Sequence, residues 1–265
     1  MDGQPLSLNQ IKEIELDILL ALAKYCDEHG LRYFLAYGSL LGAIRHGGFI
    51  PWDDDIDIVM QREDYMKLNE LLSKENIRDD LRWISLQTGN WNEPIGKVVN
   101  INTSLKAQRM RTSIWVDVFP LDPYDEKLLK KNVFMRRVHI AKNTDHFTFD
   151  FKGIVKFILR GLYSWKSFMS ISKDIEKRAL TIKPNGKLAN MVWASDERDY
   201  YDESMFASQS EVEFEGRKIK TVADVDGYLT KCYGNYMQLP AEKERKSHGI
   251  TAYWIGETPC PFKGL

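Results

Sequence analysis

The sequence predicts an α/β (α+β) fold: a mixed sheet flanked by helices, with a helical insertion and a C-terminal extension. Three features carry that expectation. A long amphipathic segment opens the chain, short apolar runs broken by Gly, Pro and Asp follow it, and the pattern turns helical near residue 126. With 265 residues, 43% hydrophobic and 28% charged, the composition is that of an ordinary globule with a sizeable core. It excludes a disordered chain, a collagen-like chain and a disulfide scaffold. A formal net charge of −1 speaks against a nucleic-acid polymer as partner.

The elements follow in order. Ile11, Ile14, Ile18, Leu19 and Leu22 recur at helical spacing, with Lys12, Glu13, Glu15 and Asp17 on the other side. This predicts a helix over Ser7–Glu28, ended by Gly30. Arg32–Tyr37 reads as a strand, Leu40–Ile44 as one or two helical turns, and Gly47-Gly48 with Pro51 as a loop. Ile56–Met60 reads as a strand and Arg62–Leu72 as a helix. Further strands are expected at Trp83–Leu86, Ile95–Val99 and Ile114–Phe119, then helix from Glu126 to Leu180. A hairpin is expected around Glu215-Gly216. A helix over Val222–Cys232 would start from a capping-box-like pair, Thr221 and Asp224. The expected parts are a core with its N-terminal helix over 1–125, a helical segment over 126–187 and a C-terminal part over 188–265 packed on the core.

Cys26, Cys232 and Cys260 are far apart and form no CxxC. That argues against a paired-cysteine zinc site and fits a reducing compartment. Met1–Gln10 lacks the basic-then-apolar order of a signal peptide. The charge-free run Tyr33–Ile44 falls short of the ~20 residues that span a bilayer. The expected location is the cytoplasm, with room for peripheral contact at the inner face of the membrane.

The most informative stretch is Pro51-Trp52-Asp53-Asp54-Asp55-Ile56-Asp57-Ile58-Val59. Four carboxylates in five positions repel one another unless solvent or cations balance them. If the strand begins early enough, Asp53, Asp55 and Asp57 share one face, while Ile56 and Ile58 enter the core. Oxygen ligands of this hardness suit Mg²⁺ or Mn²⁺. The plain alternative is a solvated acidic loop, and the apolar Ile56, Ile58 and Val59 weigh against it. An EF-hand loop fails, because its sixth position, normally Gly, is Ile58 and its twelfth, normally Glu, is Asp64. A single Asp117 sits within the apolar run Ile114–Phe119. Burying it alone would be costly, which is explained if Asp117 joins a metal beside Asp55 and Asp57. The alternative is a partner such as Arg109 or Arg111. Gly38-Ser39 ends one strand and opens a helix, where a phosphate can approach the backbone.

Gly38-Ser39, Asp55-Ile56-Asp57 and Asp117 together resemble the nucleotidyltransferase superfold. The run from Gly38 through Arg45-His46-Gly47-Gly48 to Ile58 resembles the signature of the LicD family, bacterial phosphocholine and related phosphotransferases akin to the fukutin group. Val116–Asp122, Phe214-Glu215-Gly216, Tyr228-Leu229, Tyr233–Met237 and Pro240 add to the likeness, which covers about Asn9 to His248. The resemblance implies transfer of a substituted phosphate, phosphocholine first among the candidates, from CDP-choline, CDP-glycerol or CDP-ribitol. The acceptor would be a sugar hydroxyl of a cell-surface glycan, a lipid-linked glycan or a teichoic-acid precursor. It implies Asp55, Asp57 and Asp117 as catalytic residues and metal ligands. Gly38, Ser39, Arg45, Asp53 and Lys97 would bind substrate. Asp54, His46 and His248 receive no role.

If the donor carries choline, its quaternary ammonium calls for an aromatic cage, and Trp52, Trp115 and Tyr124 flank the acidic motifs. Phe151–Ser172 combines an aromatic-rich apolar side with Lys152, Lys156, Arg160 and Lys166 and no acid. It reads as an interfacial helix or as a packing helix whose basic face meets an acceptor groove or water. The competing enzyme is a nucleotidyltransferase that adds NMP to a small-molecule hydroxyl. The competing class is a non-catalytic glycan- or lipid-binding module. The chain has neither GxxxxGK[ST] nor GxGxxG, which speaks against a P-loop kinase and a Rossmann dehydrogenase.

Overall fold

A computed structural model describes residues 3–107, 110–143, 151–194, 199–245 and 249–265. After a short strand β1 (Gln4–Pro5), helix α1 (Leu8–Glu28) begins with a complete capping box. The Ser7 hydroxyl accepts from Gln10 N–H, and the Gln10 side chain accepts from Ser7 N–H. Strand β2 (Phe34–Leu35) leads into α2 (Tyr37–His46), β3 (Asp57–Gln61) and α3 (Arg62–Leu72). Then come β4 (Leu81–Ile84), β5 (Gly96–Asn100), β6 (Thr103–Ala107), β7 (Met110–Thr112) and β8 (Trp115–Pro123). Helices α4 (Glu126–Asn143), α5 (Phe151–Leu162) and α6 (Phe168–Ala179) follow. The chain returns through β9 (Lys187–Ala189), β10 (Tyr200–Asp202), β11 (Gln209–Phe214), β12 (Arg217–Val222), α7 (Val225–Tyr233) and β13 (Ala252–Trp254).

Strand β8 organises the main sheet. It runs parallel to β3 on one side. On the other, its first half pairs antiparallel with β5 and its end with β9. β2 closes one edge against β3, β4 lies beyond β5, and β10 lies beyond β9. A second small sheet has the order β1-β13-β6-β7, and β11–β12 form a hairpin. Helix α1 packs on β5 and β8, and α3 on β3 and β8. Ile14, Ile18, Leu19, Ile56, Ile58, Val116 and Val118 are buried between these layers. Arg62 ties α3, β8 and α6 together: it donates to both Asp122 oxygens at 2.7 Å and to Glu176 at 3.2 Å. Asp122 therefore serves a buried ion cluster.

The structure departs from the sequence expectations at specific places. The Arg32–Tyr37 strand is only Phe34–Leu35, because Tyr37, at φ +46°, already turns the chain into α2. Gly38 and Ser39 thus lie in the first turn of that helix. Asp53–Ile56 precede β3, so strand alternation does not put Asp53 and Asp55 on a face with Asp57. Thr221 is no cap, since its hydroxyl donates to the Leu35 carbonyl. Asp224 caps α7 by accepting from Gly227 N–H. The β6–β7 hairpin lies outside the expected elements, and strands β9, β10 and β13, of three residues each, are too short for a periodic signal.

Candidate active site

The hydrogen-bond register builds the centre of the site. Asp57 on β3 lies opposite Asp117 on β8, and Asp117 lies opposite Lys97 on β5. Residues opposite one another across a sheet share a face. The three form a row: carboxylate, carboxylate, ammonium. Lys97 Nζ donates to Asp117 Oδ1 at 2.5 Å. Trp115 Nε1 donates to Asp117 Oδ2 at 2.9 Å. Lys97 is only 5% exposed, and its ammonium sits 4.3 Å from the Trp115 ring centre and 5.4 Å from that of Trp91. It is a buried member of the site and not a surface charge.

The start of α2 is pinned to the same row. Ala36 N–H donates to the Asp57 carbonyl, and Asp57 N–H donates to Ser39 Oγ at 2.8 Å. A Cβ on Gly38 would come within 2.9 Å of Asp53 Oδ2, so the acidic loop lies close against the helix start and a larger residue there would push the Asp53 carboxylate aside. Tyr37 holds a left-handed conformation rarely adopted by bulky residues. Such strain persists only where the surroundings fix it.

Three residues to which the sequence assigned no role in the site surround the acidic loop. Lys12 and Glu15 were expected on the solvent side of α1, yet both are buried. Lys12 Nζ donates to the carbonyls of Ile50 and Pro51 at 3.0 and 3.3 Å, just before the acids. Burial lowers its pKa, and Asp53, Glu15, Glu215 and Asp54 oppose that shift. The third is Glu215, at the tip of the β11–β12 hairpin, whose Oε1 accepts from Phe49 N–H at 2.9 Å. Its carboxylate fills the space where Gly48 has no side chain, and its own N–H reaches the Gly47 carbonyl. This explains Gly47-Gly48 and the Phe214-Glu215-Gly216 motif together. The only sequence signal was that both segments belonged to the family-like pattern.

The charge balance of the site is strongly negative. The carboxyl of Asp57 is pushed well above the usual carboxylate range by burial, then by Asp55, Asp117 and Asp53, with Lys97 opposing. Glu15, 2% exposed, is pushed up by burial and then by Asp55, Asp54 and Asp53, against the opposing pull of Lys12. Glu93 is raised by burial and by Asp117, with Lys97 and Arg136 opposing. Among the described residues, no three His, Cys, Asp or Glu side chains group closely enough to hold a metal ion. Asp117 has one oxygen on Lys97 and the other on Trp115, so the expected set of Asp55, Asp57 and Asp117 is not assembled here. Asp55 and Asp57 are oxygen donors of the kind a hard cation takes, and a divalent ion held there would offset the burial and the neighbouring carboxylates that raise Asp57.

The remaining expected residues disperse. Arg45 lies six residues beyond Ser39 along α2, about 9 Å of helix rise. It donates from Nη1 to the Tyr236 carbonyl at 3.1 Å. With Trp52, Tyr233, Tyr236 and Gln238 it lines a cavity of about 610 Å³. This places it away from Ser39 and Asp57, where a diphosphate was expected. Trp52, Trp115 and Tyr124 do not form a cage. Trp52 lies in that cavity under Arg245, Trp115 is bound to Asp117, and Tyr124 stacks on Tyr200 at 4.5 Å. His46 is exposed and meets the Trp52 ring edge-on. Arg109 and His248 lie outside the described residues.

Residues 30–156 match the family described as LicD/FKTN/FKRP, nucleotidyltransferase domain. Across 268 aligned residues, 94% of this chain and 98% of the other, the chain is 28% identical to the lipopolysaccharide cholinephosphotransferase LicD of Haemophilus influenzae. Across 46 residues, 17% of this chain and 9% of the other, it is 50% identical to the ribitol 5-phosphate transferase FKRP of Homo sapiens. The matched segment contains the Asp57–Asp117–Lys97 row, derived above from strand register, and the α2 start that hydrogen bonds pin to it; over this segment the chain is similar to the LicD/FKTN/FKRP family, and over nearly its whole length to a LicD protein.

Proposed function

We propose that this LicD-like phosphotransferase moves a substituted phosphate, phosphocholine first among the candidates, from a CDP-activated alcohol to a sugar hydroxyl of a cell-surface glycan precursor. The observation that carries the reading is the Lys97–Asp117–Asp57 row set against the start of α2. The names of the relatives support it, since one transfers phosphocholine and the other ribitol 5-phosphate.

In this reading the donor diphosphate lies between the first turn of α2 and the row. Gly38 and Ser39 present helix-start N–H groups to it. Lys97 turns from Asp117 toward the donor phosphate, which frees Asp117 Oδ1. Asp117 then takes the proton of the acceptor hydroxyl. The hydroxyl oxygen forms a bond to the phosphorus that carries the alcohol, and the bond from that phosphorus to the bridging oxygen breaks. CMP leaves with the bridging oxygen and its electron pair. Asp55 and Asp57 would hold Mg²⁺ or Mn²⁺, which supplies charge neutralisation for the diphosphate when bound. Asp53 backs the approach of the acidic loop to Gly38. The cavity from Trp52 to Arg45 takes the nucleoside half of the donor: it begins one residue before Asp53 and offers aromatic walls and polar ends.

Calorimetric titration with CDP-choline, CDP-glycerol and CDP-ribitol, each with Mg²⁺ and with EDTA, tests this. One CDP-alcohol is expected to bind in a metal-dependent way, with weaker binding in Arg45→Ala. If none binds while a nucleoside triphosphate does, the reading gives way to nucleotidyl transfer.

A further inference from the structure

The Lys97 ammonium stands in a box whose walls suit a cation. The Trp115 ring centre lies 4.3 Å from Nζ and that of Trp91 lies 5.4 Å from it. Indole rings attract positive charge, most strongly where water is excluded, and Lys97 is buried. Two carboxyl groups complete the box. Asp117 accepts from Nζ. The half-buried Glu93 carboxyl is raised by burial, drawn down by Lys97 and pushed up by Asp117, so it feels the same two groups; Arg136 draws it down more weakly. Strand pairing assembles the set. Trp115 and Asp117 are two apart on β8 and share its face, and Lys97 lies opposite Asp117 on β5. Trp91 and Glu93 belong to the loop that leads into β5.

This box differs from the expected trio Trp52, Trp115 and Tyr124, and it bears on the part of the donor that the cavity beside Trp52 does not take. In the phosphotransfer reading above, on which this inference rests, Lys97 leaves Asp117 for the donor phosphate. That move would leave two acids and two rings with no cation among them, a costly arrangement. The same step brings the donor's alcohol there. Asp117 takes the acceptor proton, so the phosphorus under attack, and the alcohol it carries, come to rest beside Asp117. A trimethylammonium group restores the lost charge. Having no N–H, it neutralises Asp117 without occupying the oxygen that must accept a proton. A neutral polyol restores no charge. We propose that Trp91, Trp115 and Glu93 form the subsite that selects the donor's alcohol, and that they select a quaternary ammonium over glycerol or ribitol by exchanging it for the Lys97 ammonium.

The test is calorimetric titration of the whole chain, with Mg²⁺, by CDP-choline, CDP-glycerol and CDP-ribitol. CDP-choline is expected to bind at least about tenfold more tightly than either polyol donor. Trp91→Leu and, separately, Glu93→Gln are expected to bring the three affinities within about threefold of one another, by weakening CDP-choline and not the others. Glu93→Gln keeps the side-chain shape and carries the test if Trp91→Leu fails to fold, as circular dichroism would report. CDP-glycerol or CDP-ribitol binding as tightly as CDP-choline to the parent overturns the inference and leaves phosphotransfer standing. So does a choline preference that survives in the folded variants. Binding of no CDP-alcohol overturns both.

Discussion

Asp57→Asn is expected to lower transfer by at least about 10²–10³-fold while the fold remains and its melting temperature rises. The two effects have one cause. Burial and the charges of Asp55, Asp117 and Asp53 make an ionised Asp57 unfavourable in the metal-free protein. Asn keeps the shape and the backbone N–H on Ser39 Oγ but removes the charge. A gain of roughly 3 °C or more is expected, the usual trade between stability and a functional charge cluster. The pH dependence has a definite sign. The folded protein holds the Asp57 proton more tightly than the unfolded chain does. This group's contribution to stability therefore falls as pH rises from about 4 through its raised folded-state value, and that fall vanishes in the Asn variant. Activity and scanning calorimetry on the same preparation decide. Near-parental transfer in the variant contradicts the assignment of Asp57, and a lower melting temperature contradicts the charge argument.

Lys97→Met is expected to destabilise the fold by about 3–5 kcal/mol and to lower transfer by at least about a hundredfold. Lys97 and Asp117 are both buried and bonded to each other, so removing the cation leaves a carboxylate with only the Trp115 N–H. The double variant Lys97→Met, Asp117→Asn separates the two effects. With no buried charge left on that pair, it is expected to recover much of the stability and none of the transfer. Denaturant midpoints of the two single variants and the double variant measure the coupling. A Lys97→Met protein as stable as the parent contradicts the row, and recovery of transfer in the double variant contradicts the mechanism.

The acids of the candidate site stand out in the sequence because their setting is unusual. Asp53-Asp54-Asp55-Ile56-Asp57 and a lone Asp117 in an apolar run are carboxylates where burial would be costly without a partner. Long periodic elements were equally legible, as Leu8–Glu28 and Arg62–Leu72 show. What the linear pattern hid was set by register and by contacts between distant segments. Lys97 reads as an ordinary strand lysine until β5 pairs with β8 and places it opposite Asp117. Lys12 and Glu15 fit the polar side of an amphipathic helix, yet that side faces the acidic loop. Glu215 seals a glycine pair 167 and 168 positions earlier in the chain. Arg45 lies close to the acids in sequence but about 9 Å along α2 from Ser39 in space. Short strands such as Lys187–Ala189 exist through pairing alone, and three residues carry no period to read.

The central claim concerns which phosphorus is attacked, and the mass of the product reports it directly. The protein would be incubated with the CDP-alcohol it binds, Mg²⁺ and a glycan acceptor, and the acceptor weighed by mass spectrometry. The account predicts an acceptor heavier by the alcohol phosphate, with CMP released in equal amount. An acceptor heavier by a nucleotide, with the alcohol phosphate released, would contradict it.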